Sequence, residues 1–439
     1  MFYTDAQTME DLSIFSKRKK TVSVFSFYDR TITSGGNSEL ERMFRHPLSD
    51  KNDILRRAGA IEYFSCNDPG LYLDKGMFDF IEYYLSQVRV PLRKTGLNVM
   101  TTAVRAIGKL TQEQYAVKRG ITFLGEVIRN LYQFAIGHNE CDIVLIREYS
   151  AEVLNIVEGS KELTKIANSP LTRLSAADIT GYDYLFRYES RDNIRKLLRM
   201  VYEVDVLTSL GSFLKEEGFC VCEMSDGKGI RMEGVRHPLI ENAVSSDIEY
   251  GDHHNMCFIT GANMSGKSTF MKAFSISVYL AHLGFPVPAN SMKCPVFKGL
   301  FTTINLGDDI SLGYSHFYAE VERIKKIAMA MREHPELMIV FDELFRGTNL
   351  KDAYDASVAI MTAFTRCRCS SFLISTHITE VADELREIPQ VIYRYFPTDY
   401  EGDEFKYTYK LGEGISGDRL GMKIISRAGI ISMLEECAN

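Results

Sequence analysis

The sequence has 439 residues, of which 45% are hydrophobic and 25% are charged, a composition typical of a soluble globular protein with about two or three domains. No apolar run is long enough to span a membrane, and the N-terminus lacks the basic and apolar regions of a signal peptide. Lysine and arginine number 51 against 58 acidic residues, and the formal charge of −7 argues against a strongly basic nucleic-acid-binding protein. A local basic surface remains compatible with that charge. We therefore expect a cytoplasmic protein without a membrane partner.

The nine cysteines have no spacing that predicts a disulfide framework. Cys220 and Cys222 are separated by one residue, as are Cys367 and Cys369. Zinc knuckles typically place two to four residues between such ligands. The cysteines are therefore interpreted as reduced thiols, which suits a cytoplasmic protein.

The first 217 residues are predicted to form an all-helical domain, 1–217, after an irregular start. A basic cluster, Lys17–Lys20, could touch phosphates, although a solvated loop is the favoured interpretation. A β-type run follows at 21–28, and Ser34–Asn37 has the composition of a turn. Apolar residues then recur at helical spacing, which predicts long helices that pack through apolar stripes. The predicted helical segments are 49–64, 73–88, 111–134, 150–166 and 190–213.

The remainder, 218–439, is predicted to be an α/β domain with a boundary near Glu216–Gly218. Short strands are expected at 219–222 and 230–232, and apolar β-type runs then alternate with helical patterns. Such alternation predicts a mostly parallel sheet with helices on its faces. The strand-like runs are 256–260, 300–304, 337–342, 371–376 and 391–396. The helical runs are 267–283, 316–332, 351–365 and 378–386.

A glycine-rich segment between a predicted strand and a predicted helix fits the phosphate-loop pattern G-x-x-x-x-G-K-[ST]. Glycines let the backbone N–H groups point inward, and the following helix adds its positive N-terminal end. A turn that matches by chance is the weaker interpretation, because the flanking strand and helix are both present. Lys267 would reach the outer phosphates of a nucleotide, and Ser268 would ligate Mg²⁺. The candidate binding residues are Gly261, Ala262, Asn263, Met264, Ser265, Gly266, Lys267, Ser268 and Thr269.

Two carboxylates end the apolar run 337–341, which is a predicted buried strand. Ligands of parallel sheets bind at the carboxyl ends of the strands. Asp342 would hold Mg²⁺, and Glu343 would polarise an attacking water. Two exposed acids at a strand end are common in isolation. Here they follow the phosphate-loop lysine by 342 − 267 = 75 residues, which favours a nucleoside triphosphatase.

Two further residues fit such a site. His377 follows another apolar strand and could donate a hydrogen bond to a γ-phosphate, although a strand-end histidine is more often structural or solvated. Ser315 lies where a predicted helix begins, a position that offers N–H groups to an anion. In a lone chain Ser315 has no evident phosphate to contact, and this predicts a second subunit.

Together these segments resemble the MutS family of DNA mismatch-repair and related ATPases. The resemblance covers nearly the whole chain and is strongest after residue 230. The segments that carry it are Thr260–Thr269 with its Asn-Met pair, Asp342–Asn349, Asp308–Glu320, Thr376–His377, Arg236–Leu239, Val287–Ala289 and Tyr409–Gly421, with Thr31–Thr33, Pro47–Leu48 and Arg56–Arg57 upstream.

The resemblance implies an ABC-like ATPase domain that uses ATP and Mg²⁺ and forms a dimer, here a homodimer. In that family each subunit completes the other's ATP site with a signature serine, which would be Ser315 acting in trans. Long helices would carry ATP-driven changes to a clamp on duplex or branched DNA, and turnover would be slow and DNA-regulated. Ile248 and Tyr409 would lie on the two sides of the adenine.

The sequence also departs from the family pattern. It begins at the family's helical core, so the mismatch-reading and connector domains of full-length members are expected to be missing. Phe80–Glu82 falls in a predicted helix and Phe341–Glu343 in a strand, so neither is a credible mismatch reader. An ABC-like switch ATPase that acts on a protein partner without contacting DNA therefore remains the alternative. A transporter subunit is a poorer interpretation, because the short signature motif of those proteins is absent.

Overall fold

The computed structural model describes most of the chain in two compact units. The residues it describes are 2–16, 21–87, 112–251, 253–304, 316–345, 348–376, 378–401, 404–416, 429–430 and 433–434. The first unit, called the sheet unit, comprises 1–27, 46–55 and 218–439. The second, called the helical unit, comprises 28–45 and 56–217. Three predicted features, Lys17–Lys20, Ser315 and His377, lie outside the described residues.

The N-terminal half of the chain is helical, as the apolar periodicity predicts. Asp74 and Ser160 cap the helices that follow them, and Ser175 forms a capping box with Asp178. A helix end at Gly159 divides the predicted segment 150–166 in two. The helices are α1 Ala6–Asp11, α2 Val24–Tyr28, α3 Ser34–Arg45, α4 Lys51–Cys66, α5 Lys75–Leu85, α6 Gln112–His138, α7 Val144–Glu158, α8 Lys161–Asn168, α9 Ala176–Tyr184 and α10 Arg191–Glu217, with a π-helical turn at Leu185–Glu189.

Two local predictions in this half are wrong. The β-type run 21–28 contains helix α2, because the Ser23 hydroxyl accepts a hydrogen bond from the Ser26 N–H at 3.1 Å and caps the turn. The predicted turn at Ser34–Asn37 is the first turn of α3. Thr33 caps it by accepting from the Gly36 N–H at 2.9 Å, and the buried Asp205 carboxylate of α10 holds the Thr33 hydroxyl at 2.7 Å.

The sheet unit is built on a six-stranded sheet with the order β12-β9-β4-β8-β7-β6, parallel except for β12. This confirms the predicted mostly parallel sheet. The strands of the unit are β1 Glu223–Ser225, β2 Ile230–Val235, β3 Ser246–Tyr250, β4 Met256–Gly261, β5 Ser291–Pro295, β6 Gly299–Thr303, β7 Leu337–Asp342, β8 Ser371–Ser375, β9 Val391–Phe396, β10 Thr398–Glu401, β11 Glu404–Tyr407 and β12 Gly412–Glu413. Its later helices are α11 Lys267–Ala281, α12 His316–Glu333, α13 Leu350–Arg366 and α14 Glu380–Leu385.

A second sheet and a hairpin were not predicted. The second sheet has four strands in the order β1-β5-β2-β3, and β10 pairs with β11. The expected strand at 219–222 lies instead at 223–225, and Cys220 makes only an isolated bridge with Val287. The central strands β4, β7 and β8 are buried along their length, which explains why their apolar runs were recognisable in the sequence.

The N-terminal residues pack in the sheet unit, which corrects the predicted domain 1–217. Edge strand β6 offers backbone groups that need partners. Tyr3 supplies them, because its N–H donates to the Lys298 carbonyl at 2.8 Å and its carbonyl accepts from the Leu300 N–H at 2.9 Å. The Asp11 carboxylate, 2% exposed, then accepts from the Thr302 hydroxyl at 2.8 Å. Pairing across almost 300 residues of chain leaves no local sequence signal.

The described cysteines are all free thiols; they are Cys66, Cys141, Cys220, Cys222, Cys257, Cys294, Cys367 and Cys369. In the described part of the chain, no helix combines the length and the apolar character that a membrane crossing requires.

Candidate nucleotide-binding site

The phosphate-loop segment connects the buried strand β4 to helix α11 at the carboxyl end of the parallel strands. Its backbone takes positive φ angles at Gly261 (146°), Met264 (66°) and Gly266 (104°). Residues other than glycine rarely adopt such backbone angles. A Cβ on Gly266 would also lie 3.1 Å from the ring of Tyr409. Glycine is therefore required where the loop turns into the helix, and the loop leaves the first N–H groups of α11 available to an anion.

Lys267 is the first residue of α11 and is 5% exposed. Its Nζ donates to the carbonyl of Gly261 at 2.7 Å and to that of Ala262 at 2.9 Å, so the lysine folds back across the loop. Ser265 is 1% exposed, and its hydroxyl finds no hydrogen-bond partner among the described residues. A buried polar group of this kind normally has a partner. A buried cation and an unsatisfied hydroxyl within one loop fit a ligand rich in anionic oxygen atoms.

A cavity of about 430 Å³ opens beside the loop, within the range of small-molecule sites. Its lining combines loop residues with apolar side chains and one carboxylate. The lining residues are Ile240, Asn242, Ala243, Val244, Asn263, Met264, Gly266, Lys267, Ser268, Thr269, Glu343 and Tyr409. A charged loop on one side and apolar groups on another suit a ligand that carries both phosphates and a base.

The predicted acidic pair lies at the end of β7. Asp342 is 4% exposed, and its Oδ1 accepts a hydrogen bond of 2.6 Å from the hydroxyl of Ser375 on the neighbouring strand β8. Glu343 leaves the strand with a φ of 67°, and its N–H donates to the Ser375 carbonyl at 3.1 Å and to the Ser375 hydroxyl at 3.2 Å. Glu343 lines the cavity with Lys267. The buried strand thus brings Glu343 to the cavity and leaves the adjacent Asp342 carboxylate buried against Ser375.

Of the two residues predicted to flank an adenine, the structure places one at the cavity. Tyr409 lines the cavity and is 45% exposed. Its segment is anchored because the Leu411 N–H donates to the hydroxyl of Ser246 at 3.2 Å. Ile248 is 2% exposed on β3 and does not border the cavity formed by the described residues. The prediction for Ile248 is therefore corrected, because strand alternation turns this side chain into the core.

The side chains that face the cavity in its place come from the loop before β3. Ile240 and Val244 are 45% and 43% exposed, and Asn242 has a φ of 54°. Only the Asn242 conformation matches a known sequence preference, because asparagine tolerates left-handed backbone angles. Nothing in the periodicity distinguishes these exposed apolar residues from an ordinary loop. Sequence reasoning also missed Ser375 as a contact of the Asp342 carboxylate and the Glu343 N–H, because that contact depends on how β8 pairs with β7.

His237 lies at the start of the loop before β3 that carries Ile240 and Val244. Burial, together with Lys272, lowers the pKa of His237 to about 4. Its Nδ1 accepts a hydrogen bond from the Leu239 N–H at 3.2 Å, and this bond requires an unprotonated nitrogen. A neutral ring here fixes the start of the segment that carries Ile240 and Val244 to the cavity.

Comparison with known proteins gives two family matches and many relatives. The model of MutS domain III matches residues 7–211, and that of MutS domain V matches residues 257–439. The DNA mismatch repair protein MutS of Lactococcus lactis subsp. cremoris is 28% identical over 322 residues, which cover 70% of this chain and 38% of that protein. The MutS protein of Natronomonas pharaonis is 31% identical over 244 residues, covering 54% and 28%. The chain thus matches well under half of the length of these relatives.

Proposed function

The chain belongs to the MutS family, and from this premise we propose that it is an ATP-dependent DNA-binding protein of DNA repair or recombination. ATP binding and hydrolysis would drive a dimeric DNA clamp. The observation that carries the proposal is that the phosphate-loop residue Lys267 and the strand-end residue Glu343 line the same cavity. The parallel sheet with this loop at its carboxyl edge supports an ABC-like ATPase domain.

The loop residues would bind the triphosphate. Lys267 would exchange its two carbonyl contacts for phosphate oxygens, and the buried hydroxyl of Ser265 would find its missing acceptor or donor there. Ser268 and Asp342 would hold Mg²⁺, and the ion, when bound, would neutralise charge on the phosphates. Tyr409 would contact the base from one side of the cavity.

Glu343 is the residue that would orient and polarise the attacking water. It lines the cavity, whereas Asp342 is held in the core by a hydrogen bond to Ser375. The two adjacent carboxylates therefore have different environments, and this supports different roles for them. The left-handed backbone at Glu343 is the kind of strain that often accompanies functional positions.

A second copy of the chain would complete the site. Ser315 of one subunit would contact the phosphates bound by the other, and His377 would donate to the γ-phosphate from its own subunit. The apolar lining of the cavity supports the proposal that a second subunit covers it. Ile240, Val244 and Met264 line the cavity and are 45%, 43% and 81% exposed. Exposed apolar groups around a polar site are typical of surfaces that bind a partner.

The alternative is a switch ATPase that acts on a protein without contacting DNA, and the charge of −7 favours it. The two functions are separated by measuring binding of the purified chain to perfect, mismatched and four-way branched DNA across a salt series, with and without ATP. We expect affinity that falls steeply as salt rises and responds to ATP. Absence of salt-dependent binding to every DNA would reject the DNA function in favour of the protein-directed one. Lys267→Ala serves as the control, since it should retain nucleotide-free DNA binding and lose the response to ATP.

A further inference from the structure

Ser375 connects the Asp342 carboxylate to the backbone N–H of Glu343, although it does not line the cavity formed by the described residues. It is the last residue of β8, is fully buried, and is paired in register with Asp342 of β7. A hydroxyl has one donor and two acceptor sites. Here it donates to Asp342 Oδ1 at 2.6 Å and accepts from the Glu343 N–H at 3.2 Å. One oxygen atom thus contacts both residues of the acidic pair.

We propose that Ser375 is a positioning residue for ATP hydrolysis, which aims the Asp342 carboxylate at Mg²⁺ and fixes the backbone from which Glu343 reaches the water. This inference rests on the proposed ATPase function and deepens it. Ser375 touches neither metal nor substrate in this role and acts only through its two neighbours.

The hydrogen bond to Asp342 selects one orientation of its carboxylate. Oδ1 accepts a hydrogen bond from the Ser375 hydroxyl inside the core, and this contact restricts the directions in which the carboxylate can face a cation. Ligand carboxylates that are held by such an outer contact lose little freedom on binding a metal, and removal of the contact commonly weakens binding or activity 10- to 100-fold. Since Ser375 is fully buried, bulk water cannot replace its hydroxyl.

The hydrogen bonds to the Glu343 N–H stabilise an uncommon backbone angle. Glu343 has a φ of 67° and Phe345 one of 62°, so the chain turns sharply as it leaves β7. The Ser375 carbonyl and hydroxyl both lie within 3.2 Å of the Glu343 nitrogen. Removing the hydroxyl leaves the carbonyl in place, so the N–H stays satisfied and the fold should survive. What is lost is the second contact that fixes the direction of the turn.

The inference is tested by measuring ATP turnover of the full chain as a function of Mg²⁺ concentration. We expect Ser375→Ala to lower kcat about 10- to 100-fold and to raise the Mg²⁺ concentration for half-maximal turnover about 10-fold. The KM for ATP at saturating Mg²⁺ should change by less than about 2-fold, because the loop and the cavity lining are untouched.

Ser371→Ala is the matched control. Ser371 lies on the same strand, four residues earlier and on the same face, is 6% exposed, and pairs with Met338 at the opposite end of β7. It should leave both kcat and the Mg²⁺ dependence unchanged. Thermal unfolding of both variants shows whether a difference arises from the fold. Ser375→Cys provides a second test, because its thiol keeps the site filled and donates only weakly.

Each outcome decides the proposal. A shifted Mg²⁺ dependence in both Ser375 variants, with Ser371→Ala like the wild type, supports it. Values for Ser375→Ala within about 2-fold of the wild type overturn the positioning role and leave the proposed ATPase intact. Equal losses in Ser371→Ala would show a general effect on strand β8 and would also overturn it. A wild-type chain without Mg²⁺-dependent turnover would reject the proposed function itself, and this inference with it.

Discussion

Asp5 and Arg323, separated by 318 residues of sequence, form a buried ion pair in the sheet unit. Their side chains are 12% and 6% exposed. Asp5 also caps α1, and the Arg323 guanidinium donates to the Thr302 carbonyl of β6 at 2.6 Å. Burial alone would raise the pKa of Asp5, but hydrogen bonds from Arg323 and Lys326 outweigh it and hold that pKa well below its usual range. The pair thus fastens the N-terminal segment to strand β6 and helix α12.

Replacing Asp5 by Asn should destabilise the sheet unit by about 3 kcal/mol at neutral pH, because it leaves the buried Arg323 without its counter-charge. The folded-state pKa is depressed, so this stability is present above the unfolded-state pKa near 4 and is lost as pH falls below it. The difference between the two proteins in free energy of unfolding should therefore shrink below about pH 4. Urea unfolding at several pH values measures it.

The second cation that contacts Asp5 provides the control. Lys326 donates to Asp5 at 2.8 Å, but its side chain is 60% exposed. Lys326→Ala should therefore cost less than about 1 kcal/mol. Similar losses in Lys326→Ala and Asp5→Asn would contradict the view that burial at Arg323 makes the pair important.

Gly211 of α10 lies against the backbone of α4 in the helical unit. A Cβ on Gly211 would lie 2.7 Å from the Phe64 carbonyl carbon and 2.8 Å from the Ser65 nitrogen, both of which are backbone atoms. Gly211→Ala should therefore force the helices apart and destabilise the protein by about 1–3 kcal/mol. Gly59→Ala in α4 is the control, since no heavy atom of the described chain outside its own stretch of helix lies within 4 Å of the added methyl group. That change should be neutral or stabilise by up to about 1 kcal/mol. A milder effect at Gly211 than at Gly59 in thermal unfolding would refute the packing argument.

The features that could be predicted from the sequence are those with local signals. The phosphate loop, the buried strand that ends at Asp342, and the alternation of strands and helices all follow from patterns within about 20 residues. Tyr409 is predicted from the family resemblance alone, and it lines the cavity. The same resemblance wrongly placed Ile248 beside the adenine. A resemblance indicates the segment that lies near a site, whereas the alternation of side chains along β3 decides which of them face outward, and Ile248 faces the core.

The features that the sequence could not reveal depend on distant partners. Tyr3 pairs with strand β6, and the helical first turn of α3 requires Asp205, which lies over 170 residues further along the chain. The hydroxyl of Ser375 meets Asp342 only because β7 and β8 align in this register. Propensity and periodicity describe single segments, so contacts of this kind appear only once the segments are packed together.

His282 is a fully buried residue whose two nitrogens require a neutral ring. Nδ1 donates to the Val278 carbonyl at 2.8 Å, and Nε2 accepts from the Phe297 N–H at 2.8 Å. Burial, with Lys298 nearby, lowers the pKa of His282 from 6.5 to about 4, although the Val278 hydrogen bond opposes this. The unfolded chain therefore binds the proton more readily, and stability is lost as pH falls from about 6.5 to 4, by up to ~3 kcal/mol.

This loss is measured as the pH dependence of the free energy of unfolding in the wild type and in His282→Gln. The variant should be less stable at pH 7, and its stability should fall less steeply between pH 6.5 and 4. His237, whose pKa is also about 4, contributes in the same window, so His237→Asn and the double variant complete the comparison. Parallel pH profiles for the wild type and His282→Gln would show that His282 does not titrate in this way.

Lys267→Ala should abolish nucleotide binding or hydrolysis, because it removes the buried cation of the loop. Binding of a fluorescent ATP analogue and steady-state turnover measure the two effects, and we expect a loss of at least about 100-fold in one of them. Lys272→Ala, five residues further along the same helix, should leave both within a few-fold of the wild type, because Lys272 does not line the cavity formed by the described residues. Unchanged turnover in Lys267→Ala would reject the phosphate-loop assignment.

Glu343→Gln separates binding from chemistry. Glutamine keeps the shape of the side chain and the hydrogen bonds of the Glu343 N–H to Ser375, but it cannot accept a proton from water. The variant should bind ATP as tightly as the wild type and hydrolyse it about 100- to 10,000-fold more slowly, so that an ATP-bound dimer accumulates. Single-turnover hydrolysis and the molar mass in solution with and without ATP measure these effects.

Glu336→Gln is the control for this prediction. Glu336 precedes the opposite end of the same strand, so this variant should behave as the wild type. Normal hydrolysis by Glu343→Gln would show that another group activates the water, and slow hydrolysis accompanied by weak ATP binding would place Glu343 in ground-state binding instead.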